Sequence, residues 1–294
     1  MTDVFEPVAA PKPVEVELKY RVTSVAAAER YLTAPRVGAF DAHDQARTSR
    51  IEDRYVDTAD GALARAGHAV RLRQSKSGTT VSVKSLAATE GPGGAVRREE
   101  LEGPADPVAP PSDWSSSAAR ALVLEHAGTA PLREVVTIRQ VRRRRQIRDA
   151  GTRIELSLDE VTVISGGREV GRFAELEAEL RRGGESRLAE LAVIFDADLT
   201  LSRATESKLE AALAVLARTK RAGDAGGPGE TRDTATDDAA ADLPDLEEDD
   251  VMTETEAILE AEAIEADALL DDAVELADEL DGDLLADRDI LADG

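Results

Sequence analysis

Carboxylate side chains recur at alternate positions in three short stretches of the chain. The pairs are Glu15/Glu17, Glu100/Glu102 and Glu175/Glu177, and basic residues hold similar positions elsewhere, namely Arg71, Arg73, Lys84 and Arg142. Side chains two residues apart on a β-strand share a face, and neighbouring carboxylates repel unless a cation separates them. Clusters of oxygen ligands suit Mg²⁺ or Mn²⁺, and arginine and lysine suit the oxygens of a polyanion. The pattern therefore indicates a site for a divalent metal and a phosphate-rich anion.

Any one of these pairs also fits the solvent-facing side of an ordinary sheet. Their recurrence on strand after strand favours an interior position instead. If the strands close with their charged faces inward, they form a tunnel that holds both metal and phosphate.

The elements that must carry these side chains are mostly strands. Alternation of apolar and polar residues predicts eight of them, at residues 14–20, 54–58, 69–73, 79–86, 96–102, 135–147, 153–164 and 169–180. Helices are predicted at residues 24–32, 113–125, 186–195 and 206–217, with one helical turn at 63–67. Strands joined mainly by turns indicate an antiparallel sheet or barrel. The expected class is mainly β (α+β), with a few flanking helices.

The acidic excess of the chain lies in its C-terminal part. The formal net charge is −24, yet 27 of the 60 acidic residues lie between Asp224 and Asp293 with only two arginines. Residues 221–250 are rich in Gly, Asp, Thr and Ala, which predicts a disordered acidic linker. Residues 251–294 form an acidic tail in which apolar residues at helical spacing predict an amphipathic helix. This tail is a candidate for binding a protein partner.

Several classes of protein are disfavoured. The chain has no cysteine, which excludes disulfides and thiolate metal sites. Residues 1–13 show no secretory signal, and no apolar run approaches the length of a membrane span, so we expect a cytoplasmic protein without membrane association. Arg142 to Arg145 alternate between the two faces of a strand, so we expect no nucleic-acid binding. A homodimer is a candidate assembly.

Seven motifs in order resemble the CYTH, or triphosphate tunnel metalloenzyme, family over roughly residues 12–218. The first is Glu15-Val16-Glu17-Leu18-Lys19, which matches the ExExK signature. The others are Tyr55-Val56-Asp57-Thr58, Val70-Arg71-Leu72-Arg73, Val83-Lys84, Arg98-Glu99-Glu100-Leu101-Glu102, Glu175-Leu176-Glu177 and Ser207-Lys208-Leu209. We accordingly predict a CYTH domain at residues 12–220.

The resemblance implies a fold and a set of roles. The fold is a closed eight-stranded antiparallel β-barrel whose tunnel is charged. The implied metal ligands are Glu15, Glu17, Asp159, Glu175 and Glu177, and the metal is Mg²⁺ or Mn²⁺. The implied phosphate ligands are Lys19, Arg71, Arg73, Lys84, Arg142 and Lys208. Catalytic roles fall to Glu15, Glu17, Lys19 and Glu102, where Glu102 either binds metal or orients a lysine.

The implied activity is metal-dependent hydrolysis of a triphosphate, with a triphosphate or polyphosphate as the bound partner. Thiamine triphosphatases of this family carry a tryptophan two residues before the first tunnel arginine, where this chain has Ala69. With one Trp, three Tyr and four Phe in the chain, inorganic tripolyphosphate is the favoured substrate. The alternatives are a nucleotide or thiamine triphosphate enzyme, including a class IV adenylate cyclase, and a polyphosphate-binding module without turnover.

Overall fold

The structure, a computed structural model, describes residues 14–225. Its strands are β1 (Val14–Val22), β2 (Arg36–Val37), β3 (Phe40–Ala42), β4 (Arg47–Asp57), β5 (His68–Ser75), β6 (Gly78–Ser85), β7 (Thr89–Glu90), β8 (Val96–Ala105), β9 (Arg133–Asp149), β10 (Thr152–Ser165), β11 (Arg168–Arg182) and β12 (Leu201–Arg203). Its α-helices are α1 (Val25–Ala28), α2 (Arg30–Thr33), α3 (Ala62–Arg65), α4 (Ala118–Ala127), α5 (Ser186–Asp196) and α6 (Lys208–Ala225). Residues 226–250 of the predicted linker and the predicted tail helix lie outside the described residues.

Eight strands close into an antiparallel barrel, which confirms the predicted fold. They hydrogen-bond in the order β1, β8, β6, β5, β4, β9, β10, β11, and β11 pairs again with β1. The short strands β2, β3, β7 and β12 extend this sheet at its margins. Because the sheet of these eight strands closes on itself, each strand has one face toward the lumen and one face toward the outside of the barrel.

Alternation along the strands separates an apolar outer face from a charged inner one. On β1, Val16, Leu18 and Tyr20 are buried in a cluster that also contains residues of α5. Glu17 and Lys19 alternate with them and are buried inside the barrel. A second outer cluster packs α3 and α4 against β5 and β6. Because helices cover the apolar face, the charged face is the one that encloses the lumen.

Helix α6 plugs one end of this lumen. Its residues Leu209, Ala212 and Val215 pack in one cluster with Tyr55 and Ile138 of the barrel wall. The helix begins with a capping box, in which the Ser207 N–H donates to a Glu210 carboxylate oxygen at 2.7 Å and the Glu210 N–H donates to Ser207 Oγ at 3.2 Å. This cap directs the first helical residue, Lys208, into the lumen.

Three predicted helices differ from the observed ones. The predicted helix over residues 24–32 is two short helices, α1 and α2, which are separated at Glu29. Asp113 was the expected cap of a helix over residues 113–125, but it lies in the 3₁₀ turn Pro111–Asp113, and Ser117 caps α4 through a bond from the Arg120 N–H. Helix α6 continues to Ala225, beyond the predicted end at residue 217. No helix in residues 14–225 has the length and apolar character that a membrane crossing requires.

Truncation after Ala225 is expected to leave the melting temperature unchanged, because the plug and the barrel are complete within residues 14–225. Leu209→Asp in the full chain is the contrasting variant, since it places a charge in the apolar plug and should lower the melting temperature strongly. Calorimetry on both proteins measures the outcome. A large loss of stability on truncation would show that the acidic segment contributes to the fold.

Candidate functional site

The lumen contains a cavity of about 270 Å³ whose wall is almost entirely charged. Its acidic residues are Glu15, Glu17, Glu100, Glu102, Glu177 and Glu179, and its basic residues are Lys19, Arg71, Arg73, Lys84, Arg98, Arg142, Arg181 and Lys208. All six predicted phosphate ligands are therefore on one cavity wall. Of the predicted metal ligands, Glu15, Glu17 and Glu177 line the cavity, while Asp159 and Glu175 are fully buried beside it.

Glu177 is the centre of the strongest ion cluster. Its carboxylate lies 2.9 Å from the Lys19 ammonium, 3.1 Å from that of Lys208 and 3.2 Å from the Arg142 guanidinium. Burial alone would raise its pKa, but these three bases outweigh burial and hold the pKa well below its usual value. Glu177 is therefore a fixed anion that positions three cations.

Asp159 supports the same cations from the neighbouring strand β10. Arg142 donates two hydrogen bonds of 2.8 and 2.7 Å to its carboxylate, and Lys208 donates a third of 2.5 Å. Burial opposes ionisation of Asp159, but Arg142 and Lys208 prevail and lower its pKa. Glu175 is less well compensated by bases. The Arg21 guanidinium lies 2.8 Å from its carboxylate but outside hydrogen-bonding geometry, and burial raises the pKa of Glu175.

A second cluster fixes the two arginines of β5. Arg73 donates hydrogen bonds of 2.7 and 2.8 Å to Asp53, and Arg71 lies 3.7 Å from the same fully buried carboxylate. Asp53 is not among the site residues that the sequence predicts. It could have been found from the strand period of two, because Asp53 lies two residues before Tyr55 and therefore on the same face of β4, and Tyr55 lines the cavity.

Lys84 contacts Glu15 at 2.6 Å and Glu100 at 3.4 Å. Glu102 is not one of the carboxylates in these ion pairs with Lys84. It accepts a hydrogen bond of 2.5 Å from the Ser82 hydroxyl and lies 3.7 Å from Arg71, with its side chain more than half exposed. Of the two carboxylates on β8, Glu100 is therefore the one in contact with the lysine.

The lumen also has an excess of acid around the pair Glu17 and Glu179. These residues face each other across β1 and β11. Burial, together with the carboxylates of Glu177 and Glu15, raises the pKa of Glu17 to about 7. Burial, with Glu15 and Glu155 nearby, likewise raises the pKa of Glu179 to about 7 despite Arg181. Like charges are therefore crowded at this position.

Three residues of this acidic region were not candidates in the sequence analysis, namely Glu155, Glu179 and Arg181. Arg181 bridges the two glutamates at 2.9 Å from each. Glu179 could have been found, because it continues the alternation of Glu175 and Glu177 on one face of β11.

The donor set of this region fits a divalent metal. All its candidate ligands are carboxylate oxygens, which Mg²⁺ and Mn²⁺ prefer. A cation would stabilise the ionised forms that burial, together with the neighbouring carboxylates, disfavours. Within residues 14–225 no three such side chains already form a ready-made metal site, and Glu15 instead contacts Lys84. Metal binding at Glu15 would therefore compete with that lysine.

Glu177→Gln and Glu179→Gln are expected to change stability in opposite directions in the metal-free protein at pH 8. Loss of Glu177 leaves three bases with less compensating charge, and breaking a buried ion pair costs about 3–5 kcal/mol. Glu179 has a pKa of about 7 in the fold against an ordinary 4.5, so at pH 8 its ionised form is held unfavourably. Replacement by glutamine removes this penalty and should raise the free energy of unfolding by on the order of 1–3 kcal/mol.

The gain from Glu179→Gln should largely disappear at pH 5. There the folded protein keeps Glu179 protonated, and the stability that the bound proton supplies is lost as the pH rises through about 7. Urea unfolding of both variants at pH 5 and pH 8 measures these effects. A gain of equal size at both pH values, or a Glu177→Gln protein more stable than wild type, would contradict the assignment.

Comparison with known proteins identifies the family of this barrel. The model of the CYTH domain matches residues 14–212. An adenylyl cyclase candidate from Hippeastrum with a dominant triphosphatase activity is 23% identical, with a TM-score of 0.51 over 68% of this chain and 95% of that one.

Two further solved structures are more distant. One, described as an adenylate cyclase of Bacillus halodurans, is 16% identical, with a TM-score of 0.40 over 67% of this chain and 97% of that one. The other, the Mimivirus capping enzyme triphosphatase, is 12% identical, with a TM-score of 0.36 over 62% of this chain and 89% of that one. No curated protein sequence matches the chain. The structural likenesses concern the fold alone, whereas the family model covers more than half of the sequence, and the chain therefore belongs to the CYTH domain family.

Proposed function

We propose that this protein hydrolyses a triphosphate inside the barrel with the help of a divalent metal. The observation that carries the proposal is the set of eight basic side chains on the wall of one cavity of about 270 Å³. Seven of these eight residues are buried or half-buried, and Arg181 is exposed. Such a concentration of positive charge is unfavourable without anions, and in the free protein the anions are glutamates and aspartates. A chain of phosphates supplies the same charge in a form that fits between the bases.

Carboxylates fix the positions of the basic side chains before substrate binds. Arg142 is fixed by the two hydrogen bonds that it donates to Asp159, and Arg73 by the two that it donates to Asp53. Lys19 lies between Glu17 and Glu177. Cations that are already in place need no reorganisation when negative charge develops on a transferred phosphoryl group. Glu102 has a positioning role in this proposal, because it contacts Ser82 and Arg71.

We assign the metal to Glu15 and Glu17, with Glu179 as the third ligand. Asp159, Glu175 and Glu177 were also expected to bind metal from the family resemblance. The bases around Asp159 and Glu177 favour a different role for them, which is to hold Lys19, Arg142 and Lys208. A bound Mg²⁺ or Mn²⁺ would offset charge on phosphate oxygens and increase the acidity of a bound water.

Inorganic tripolyphosphate is the substrate that the cavity supports best. Tyr55 is the one aromatic residue among the wall residues of the described cavity, and Ala69 stands on the same wall. A wall of charged groups offers phosphates many partners and a nucleobase few. The Hippeastrum protein, an adenylyl cyclase candidate with a dominant triphosphatase activity, keeps a nucleotide enzyme as the second candidate. A cytoplasmic location, a homodimer and a partner for the acidic tail stay predictions of the sequence.

Phosphate release from tripolyphosphate, ATP and thiamine triphosphate, each with Mg²⁺ and with Mn²⁺, tests the substrate. We expect a clearly higher kcat/KM for tripolyphosphate. An equal or higher value for ATP would reject this preference, and cyclic AMP among the products would identify a cyclase. Tight binding of tripolyphosphate without any turnover would indicate a binding module.

Glu17→Gln tests the metal assignment. The variant should fold, because Glu17 has a pKa of about 7 and is partly protonated at neutral pH. We expect metal-dependent turnover to fall by at least about 100-fold, since even partners of metal ligands are worth 10–100-fold. Glu169→Gln is the matched control, because Glu169 pairs with exposed Arg172 outside the cavity. Near-wild-type turnover of Glu17→Gln, measured with its melting temperature, would refute the assignment.

A further inference from the structure

Helix α6 plugs one end of the lumen, and a second cavity, which Glu210 of this helix lines, lies beside it. The second cavity has a volume of about 480 Å³, and we call it the side recess. Leu86 packs against the cluster that contains the α6 plug and also lines the side recess. The side recess is therefore next to any phosphate group that is released near the plug. The rest of the substrate would then still occupy the lumen.

Strand β1 changes its hydrogen-bonded partner beside the recess. On one side, β1 pairs with β8 at residues 14–17 and with β12 at residues 20–22. Leu18 falls between these two ladders, whereas the Lys19 carbonyl accepts a hydrogen bond of 3.0 Å from the Ala204 N–H, and both residues line the recess. Lys19 and Arg98 line the recess and the lumen cavity alike. These two side chains form the boundary between the two cavities.

Arg98 differs from the other bases of the lumen. Only 4% of its surface is exposed, and its Nη2 donates to the carbonyl of Thr205. Its Nε has no hydrogen-bond partner, and no carboxylate of the described residues forms an ion pair with it. By contrast, Lys19, Lys84 and Arg142 each contact at least one carboxylate.

A buried cation without a counter-charge is unfavourable, and an anion at its free N–H would remove the penalty. A group bound at this N–H must therefore be negatively charged. We propose that Arg98 binds orthophosphate at the inner end of a side exit, through which this product leaves while pyrophosphate still fills the lumen. The inference rests on the proposed triphosphatase activity and names the product route of that same site.

The other charges of the recess fit a route better than a storage site. Glu206 is held by Arg21 at 2.9 Å, Glu210 accepts the Ser207 N–H, and Arg203 is bound to Asp196. Glu90 is a further acidic residue of the wall. The carboxylates disfavour accumulation of phosphate beyond Arg98, and Thr89 and Thr205 are neutral residues of the same wall.

The test is calorimetric titration of orthophosphate into the full chain saturated with pyrophosphate and Mg²⁺. We expect binding to the wild type, and at least tenfold weaker binding to Arg98→Gln. Arg98→Lys should retain much of the affinity, because it keeps the charge. Arg172→Gln is the control, since Arg172 is exposed and pairs with Glu169, and its affinity should equal that of the wild type.

Ala88→Trp tests the route separately, because Ala88 is exposed and lines the recess. It should abolish orthophosphate binding to the pyrophosphate-saturated protein. Failure of the saturated wild type to bind orthophosphate, or equal affinity in Arg98→Gln, would overturn the side exit. Absence of triphosphate hydrolysis would instead reject the proposed function, because the titration requires no turnover.

Discussion

Compensation of buried charge inside the closed barrel is the constraint on which the rest of this structure depends. Helices cover the outer apolar face of the strands, so the charged face of each strand is enclosed. An enclosed charge without a partner is far more costly than an exposed one. The lumen therefore contains acids and bases in contact, such as Glu177 with Lys19 and Asp159 with Arg142. Replacement of such pairs by apolar residues is often neutral for stability, so their presence is better explained by binding than by folding.

The position of each carboxylate in the network decides its role. Glu177 and Glu179 are two residues apart on the same face of β11, yet their pKa values shift in opposite directions. Three bases surround the first, whereas the second faces Glu17 and has Glu15 and Glu155 nearby. A single alternating strand thus supplies an anion that positions cations and another that suits a metal. Residue type alone does not distinguish these two roles, because they arise from the facing strands.

Much of the barrel was predictable because its strands alternate cleanly. The ExExK stretch of β1 shows both its buried apolar face and its charged face in five residues. Strand β4 shows the opposite case, since Arg47 to Asp53 has polar residues on both faces, and its predicted start at residue 54 excluded Asp53. Arg98 was visible as one of the charged residues of β8, but its lack of a carboxylate partner depends on Glu15 being engaged by Lys84. Such competition between neighbours is set by three-dimensional distances that no spacing rule contains.

Helix α6 shows how fold and site depend on each other. Its first residue, Lys208, supplies a cation to both Asp159 and Glu177, and its next turns supply the apolar plug. Arg142 is the main counter-charge of Asp159, and without Lys208 the buried acid would be less compensated. Burial of Leu209 and Val215 in turn fixes the helix at the end of the barrel and so fixes the position of the lysine. The apolar contacts of the plug therefore determine the electrostatics of the cavity, and the same closure makes the exit of a product a separate structural problem.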